Sequence, residues 1–194
     1  MLRKKARRAA EVPVRRRTVR DEPVHAIEVA CAECGPWNVV ALAEPFTSPA
    51  CPSLGRLFEA VSGTTGLVVV GPEARRTAGP VVLAVEDIEH LSGMLRAAER
   101  LAAVDGGDIL LVLIGEEKER LGWLEGETRL ALGDRADVPL ASTEVARGAA
   151  AAAEALRRLE PGFIIARFGG LVVPEEGDLK PLAAALECPL LLVR

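Results

Sequence analysis

The 194-residue sequence contains no tyrosine, and its aromatic residues together make up only 3% of it. A core without aromatics must be aliphatic, built from Val, Leu, Ile and Ala, and stacking platforms for single-stranded nucleic acid are scarce. No apolar stretch approaches the ~20 residues of a membrane-spanning helix, and the N-terminus lacks the apolar segment of a secretory signal. These absences lead us to expect a cytoplasmic chain with no membrane span. The four cysteines are Cys31, Cys34, Cys51 and Cys188. Without a secretory signal they read as thiols or metal ligands rather than a disulfide framework. No Gly-x-Gly-x-x-Gly follows a strand pattern, so a dinucleotide cofactor is unsupported. No serine sits on a nucleophile elbow and no residues name a catalytic triad, so the expectation is a protein that is not an enzyme.

What is present describes a globular chain, 49% hydrophobic and 27% charged. Its length suits one well-buried domain plus something less than a second. The formal net charge of -4 hides a division: residues 1–22 hold nine Lys or Arg against three acids, a net of +6, while the remainder nets -10. A basic arm on an acidic body can engage a protein partner or an anionic surface. Pro13 and Pro23 break any longer helix there.

Residues 24–71 show three short apolar runs, at 24–30, 39–43 and 67–70, and from the second run on the stretch reads as strand, loop, helix, strand. Between the last two, Leu54, Leu57, Phe58 and Val61 recur at helical spacing, so 53–62 reads as a short amphipathic helix. Residues 71–79, GPEARRTAG, carry the punctuation of a boundary. Beyond it the pattern alternates. Strands are expected at 81–85, 109–114, 138–142, 163–166 and 190–193, with helices at 90–104, 116–132, 144–159 and 178–187. This alternation calls for an α/β fold, a doubly wound five-stranded parallel sheet of order 3-2-1-4-5. The expected division is a basic arm at 1–22, a partial strand–helix–strand repeat at 23–78 and the α/β domain at 79–194.

An internal repeat supports that division. A shift of 125 positions pairs Val39, Val40 and Ala41 with Ile164, Ile165 and Ala166, then Leu54, Leu57, Ala60 and Val61 with Leu179, Leu182, Ala185 and Leu186. After a short gap, the run at 67–70 falls on 189–192. The first part thus reads as a degenerate copy of the closing strand–helix–strand unit of the second.

In a sheet of this order, ligands bind beyond the C-terminal ends of the two neighbouring strands at the switch point. Glu86, Asp87, Arg167, Gly169, Gly170 and Gly177 fall there. Paired acids at a first strand's end also suit a Mg²⁺-binding receiver domain, but no phosphorylatable Asp ends the third strand. His25, Cys31, Cys34 and Cys51 could form a Cys₃His zinc site around the CAECG turn, and the same CxxC lacks the strand-to-helix placement of a redox motif.

The stretches VVLAVEDIEH, LAAVDGGDILLVLI, FIIARFGG and GDLKPLAAALECPLLLVR together resemble the universal stress protein family over residues 80–194. The resemblance implies a five-stranded α/β fold, and in ATP-binding members an acid at the end of the first strand with a glycine loop after the fourth. Backbone N–H groups of such a loop cradle phosphates. Here the acid position is Glu86, followed by Asp87, and the loop is Gly169-Gly170, six residues, then Gly177-Asp178, shorter than the family's pattern. Asp178 would repel a triphosphate. The resemblance therefore implies a non-catalytic binding or regulatory module with a degenerate nucleotide site and no cofactor. It implies stress response as the setting. The last strand leaves an apolar edge that needs cover, which pairing with a second copy or with the partial repeat would provide, and a homodimer through that strand is the expected assembly. The alternatives are an ATP- or AMP-binding stress sensor and a structural subunit tethered to a larger assembly by its arm.

Overall fold

A computed structural model describes residues 22–34, 39–43, 54–61, 66–135, 137–144, 149–175, 182 and 185–194. Its elements in chain order are helix α1 (Pro23–Cys34), strand β1 (Val39–Ala43), α2 (Leu54–Ala60), β2 (Gly66–Val70), β3 (Val81–Val85), α3 (Leu91–Asp105), β4 (Ile109–Gly115), α4 (Lys118–Leu132), β5 (Leu140–Glu144), α5 (Ala149–Arg157), β6 (Phe163–Arg167) and β7 (Leu190–Val193).

All seven strands join one sheet, in the order β1-β2-β7-β6-β3-β4-β5. Neighbours are parallel except β2 and β7, which run antiparallel. Strand β3 lies near the middle with every residue buried, which is why VVLAV carries no polar position. Alternate side chains of the strands supply two cores. On one face Val82, Ala84, Ile164, Leu190 and Leu192 pack with Leu57 and Phe58 of α2, Ala152 and Leu156 of α5, and Val24 of α1. On the other, Leu83, Val85, Ile165 and Leu191 pack with Met94 and Leu95 of α3 and Leu121 and Leu124 of α4.

The structure refines or corrects the sequence pattern at several elements. The apolar run at 24–30 forms the body of α1. Val24 is buried, and Ile27 and Cys31 pack against the same core, so the operative spacing is three and four residues, and Pro23 suits a first helical turn. Strand β5 lies two residues later than the pattern suggests, because it pairs with β4 from Leu111–Leu140 to Gly115–Glu144. The helix expected at 144–159 is described only from Ala149 to Arg157, and most of the one expected at 178–187 lies outside the described residues, as does nearly all of the basic arm.

A further correction concerns the last strand. β7 is not an edge: β2 pairs with it from Gly66–Val193 to Val69–Leu190. The cover that the apolar strand requires comes from the same chain, so this edge is not open to a second copy. The partial repeat is thus not a separate unit ahead of the sheet. The run β1-β2-β7-β6 reads as parallel, antiparallel, parallel, so β1–β2 stands to β6–β7 as one half of a two-fold arrangement to the other. A stacked pair of rings, Phe58 of α2 and Phe168 after β6, with centroids 4.4 Å apart, ties the halves together on one face.

Candidate functional site

Strands β3 and β6 are parallel neighbours, so their C-terminal tips present Glu86-Asp87 and Arg167 side by side. Arg167 Nη1 donates to Asp87 Oδ2 at 2.6 Å. The other oxygen of Asp87 accepts the backbone N–H of His90 at 3.2 Å and lies 2.9 Å from His90 Nδ1. Asp87 therefore caps the entry to α3 while neutralising the arginine. Burial alone would raise the Asp87 pKa, but the bonds from His90 and Arg167 outweigh it, and the carboxyl is held below its ordinary value.

Glu86 turns the other way. Its side chain is 8% exposed and reaches into the turn that follows β6. There it accepts the backbone N–H of Val172 at 3.0 Å and that of Leu171 through its second oxygen. Burial pushes its pKa up, against the opposing pull of those two N–H donors and of Arg167. The turn is built to receive it. Gly169 has φ +79°, a left-handed conformation suited to glycine, and Gly169 and Gly170 both donate to the Val173 carbonyl, at 2.8 and 3.1 Å. A Cβ on Gly170 would lie 2.8 Å from the Glu86 carboxyl carbon, so only glycine leaves room for the carboxylate.

The structure thus brings together Glu86, Asp87, Arg167, Gly169 and Gly170; Gly177 lies outside the described residues. Sequence reasoning missed the N–H donors of Leu171 and Val172, because a backbone donor leaves no residue-type signal. It also left His90 out of the constellation, although the Asp87-x-x-His90 spacing at a helix start was visible. Chemically, the cluster offers a row of converging N–H groups and a guanidinium, each already answered by a carboxylate of the same chain.

The sulfur-rich region is arranged differently. CAEC forms the last turn of α1 rather than an open knuckle. His25 is exposed beside Glu28, 3.7 Å away, while Cys31 packs toward the core, its pKa raised by burial. Among the described residues no group of three or more His, Cys, Asp or Glu could hold a metal. Cys51 and the Cys34 side chain lie outside that description. Cys188 is buried and its pKa is pushed up to about 12. No helix among the described residues is long and apolar enough to cross a membrane.

No protein-family model matches the chain, and no curated protein does. Solved structures do. A universal stress protein from Archaeoglobus fulgidus aligns over 89% of this chain with a TM-score of 0.58 at 13% identity. A putative universal stress protein from Pseudomonas aeruginosa aligns over 86% with a TM-score of 0.57 at 14% identity. The fold is that of the universal stress proteins. A protein of unknown function from Pseudomonas aeruginosa shares it, at 15% identity over 88% of this chain and a TM-score of 0.58. The present chain spans 65–66% of the length of each of these three structures.

Proposed function

We propose that the chain is a cytoplasmic, non-catalytic universal-stress-protein-like module, acting in binding or regulation, whose nucleotide crevice is closed by its own carboxylates. The observation that carries this reading is Glu86. Its carboxylate sits on the Leu171 and Val172 N–H groups, the type of donor pair that would otherwise cradle a phosphate. Arg167, the cation at the same strand tips, is spent on Asp87. An incoming triphosphate would have to displace one buried carboxylate and lie against a second, and like charges within a few ångströms repel strongly where water is excluded. Among the described residues at the tips of β3 and β6, Glu86, Asp87 and Arg167 are each held by partners within the chain, which supports a non-catalytic role for this crevice.

Titration calorimetry of the purified protein with ATP and AMP, with and without Mg²⁺, tests the reading together with extraction of any bound nucleotide. The expected result is no binding heat and no nucleotide. Micromolar binding would instead assign the crevice to an ATP- or AMP-linked sensor.

A further inference from the structure

Residues 71–79, which join β2 to β3, are rich in charge. Glu73, Arg75 and Arg76, together with Arg157, Ala185 and Glu187, line an open cleft of about 620 Å³, a size suited to a small molecule. Glu73 to Arg76 precede β3, Arg157 precedes β6 and Glu187 precedes β7, and these three strands are parallel. The cleft therefore lies at their N-terminal ends, at the opposite end of the sheet from Glu86 and Arg167.

The wall of the cleft is fixed from within. The backbone N–H groups of Arg75 and Arg76 both donate to the Glu187 carbonyl, at 2.9 and 2.8 Å, and Arg76 Nη2 donates to Glu187 Oε2 at 2.7 Å. Arg157 is oriented by Glu154, which accepts from its Nε at 2.9 Å and its Nη2 at 3.1 Å, so that Nη1 stays uncommitted. Two lining charges have no partner in this frame. Among the described residues the exposed side chains of Glu73 and Arg75 form no ion pair and no hydrogen bond, with each other or with any other group. An unanswered carboxylate and an unanswered guanidinium on one cleft call for a ligand that carries both signs. The lining holds three arginines against two glutamates, a formal excess of +1, so the complementary ligand has one more anionic group than cationic. Ala185 is the largest apolar side chain in the lining, which gives a purine ring nothing to pack against.

We propose that this cleft binds a free dicarboxylic amino acid. The planar fork of Arg75 holds one carboxylate through two parallel hydrogen bonds, the uncommitted Nη1 of Arg157 donates to the other, and Glu73 accepts from the ammonium group, while Arg76 and Glu187 serve as the frame. A phosphate ester answers the arginines but sets its charge against Glu73 and Glu187. A diacid without an amino group has the same defect.

Heteronuclear NMR of the full chain titrated with L-glutamate tests this, with two comparison probes: glutarate, the same diacid without the ammonium group, and inorganic phosphate. Exposed ion pairs contribute little each, so saturation is expected at millimolar ligand, with shifts centred on the amides of residues 73–76. The parent chain should bind L-glutamate more tightly than glutarate. Glu73→Gln should abolish that preference, and Arg75→Ala should weaken L-glutamate by about tenfold, the loss of one charged hydrogen-bonded pair. Both side chains are exposed, so neither variant should change the circular dichroism. Absence of a saturable shift with L-glutamate overturns the proposal. Glutarate or phosphate binding as tightly as L-glutamate, unchanged in Glu73→Gln, overturns it too, since the cleft would then be a general anion patch.

Discussion

Replacing Gly170 with alanine isolates the contact that closes the crevice. Gly170 does not occupy the left-handed region, so an alanine backbone there is unstrained and the whole penalty falls on Glu86. The added Cβ, 2.8 Å from the carboxyl carbon, forces the side chain off the Leu171 and Val172 N–H groups. Each hydrogen bond to a charged group contributes ~1.5–3 kcal/mol. Part of that is recovered when the expelled carboxylate meets water, leaving a net loss of about 2–4 kcal/mol. For a chain of this length the melting temperature should fall by about 5–15 °C. Urea unfolding followed by circular dichroism measures the loss, and Gly122→Ala serves as control. Gly122 lies in α4 with nothing within 4 Å of an added Cβ, so that variant should gain about 0.5–1 kcal/mol from helix propensity. The decisive comparison is the double variant Glu86→Ala/Gly170→Ala. With the carboxylate gone the clash is gone, so the two changes should couple by ~1–3 kcal/mol. A Gly170→Ala loss below ~0.5 kcal/mol, or strict additivity with Glu86→Ala, would refute the claim that the glycine exists to seat the carboxylate.

Because the Glu86 pKa is raised in the folded chain from 4.5, the folded state holds its proton more tightly than the unfolded one. Stability should therefore fall as pH rises from about 4.5 through the folded value and stay level above it. Measured against Glu86→Gln, this loss should disappear; Asp87, whose pKa is lowered, acts in the opposite sense below its ordinary value of 3.8. Thr128 is buried on α4 with no hydrogen-bond partner for its hydroxyl among the described residues, so Thr128→Val should stabilise by about 1 kcal/mol in the same unfolding assay. Leu67 and Leu192 are fully buried register partners across β2 and β7. Truncating either to alanine should cost ~2–5 kcal/mol, and a smaller loss in thermal unfolding would mean that the first half does not fold with the second.

The fold was largely readable because its strands advertise themselves. A fully buried strand such as β3 must be apolar at every position, and helices such as α3 keep one stripe, Leu91, Met94, Leu95 and Ala98, against the sheet. α1 was not readable as a helix because its apolar run at 24–30 is too short to fix a period; the packing of Val24, Ile27 and Cys31 on one core decides it. That Glu86, Asp87 and Arg167 come together was readable from topology alone, since β3 and β6 are parallel neighbours whose tips lie side by side. Its state was not. Glu86 finds its donors 85 residues away and Asp87 its arginine 80 residues away. Which of two adjacent acids turns inward is settled by the shape of the turn at Gly169-Gly170, not by residue type. The antiparallel junction of β2 and β7 was equally hidden, because a likeness between two stretches of sequence does not say how they meet.

The most direct test of a self-closed crevice is calorimetric titration with ATP and AMP, in the presence and absence of Mg²⁺, on the parent protein and on Glu86→Ala. The account predicts no binding heat for the parent chain and no nucleotide carried through purification. Micromolar binding to the parent, lost in Glu86→Ala, would contradict it, since Glu86 would then be holding a nucleotide rather than standing in for one.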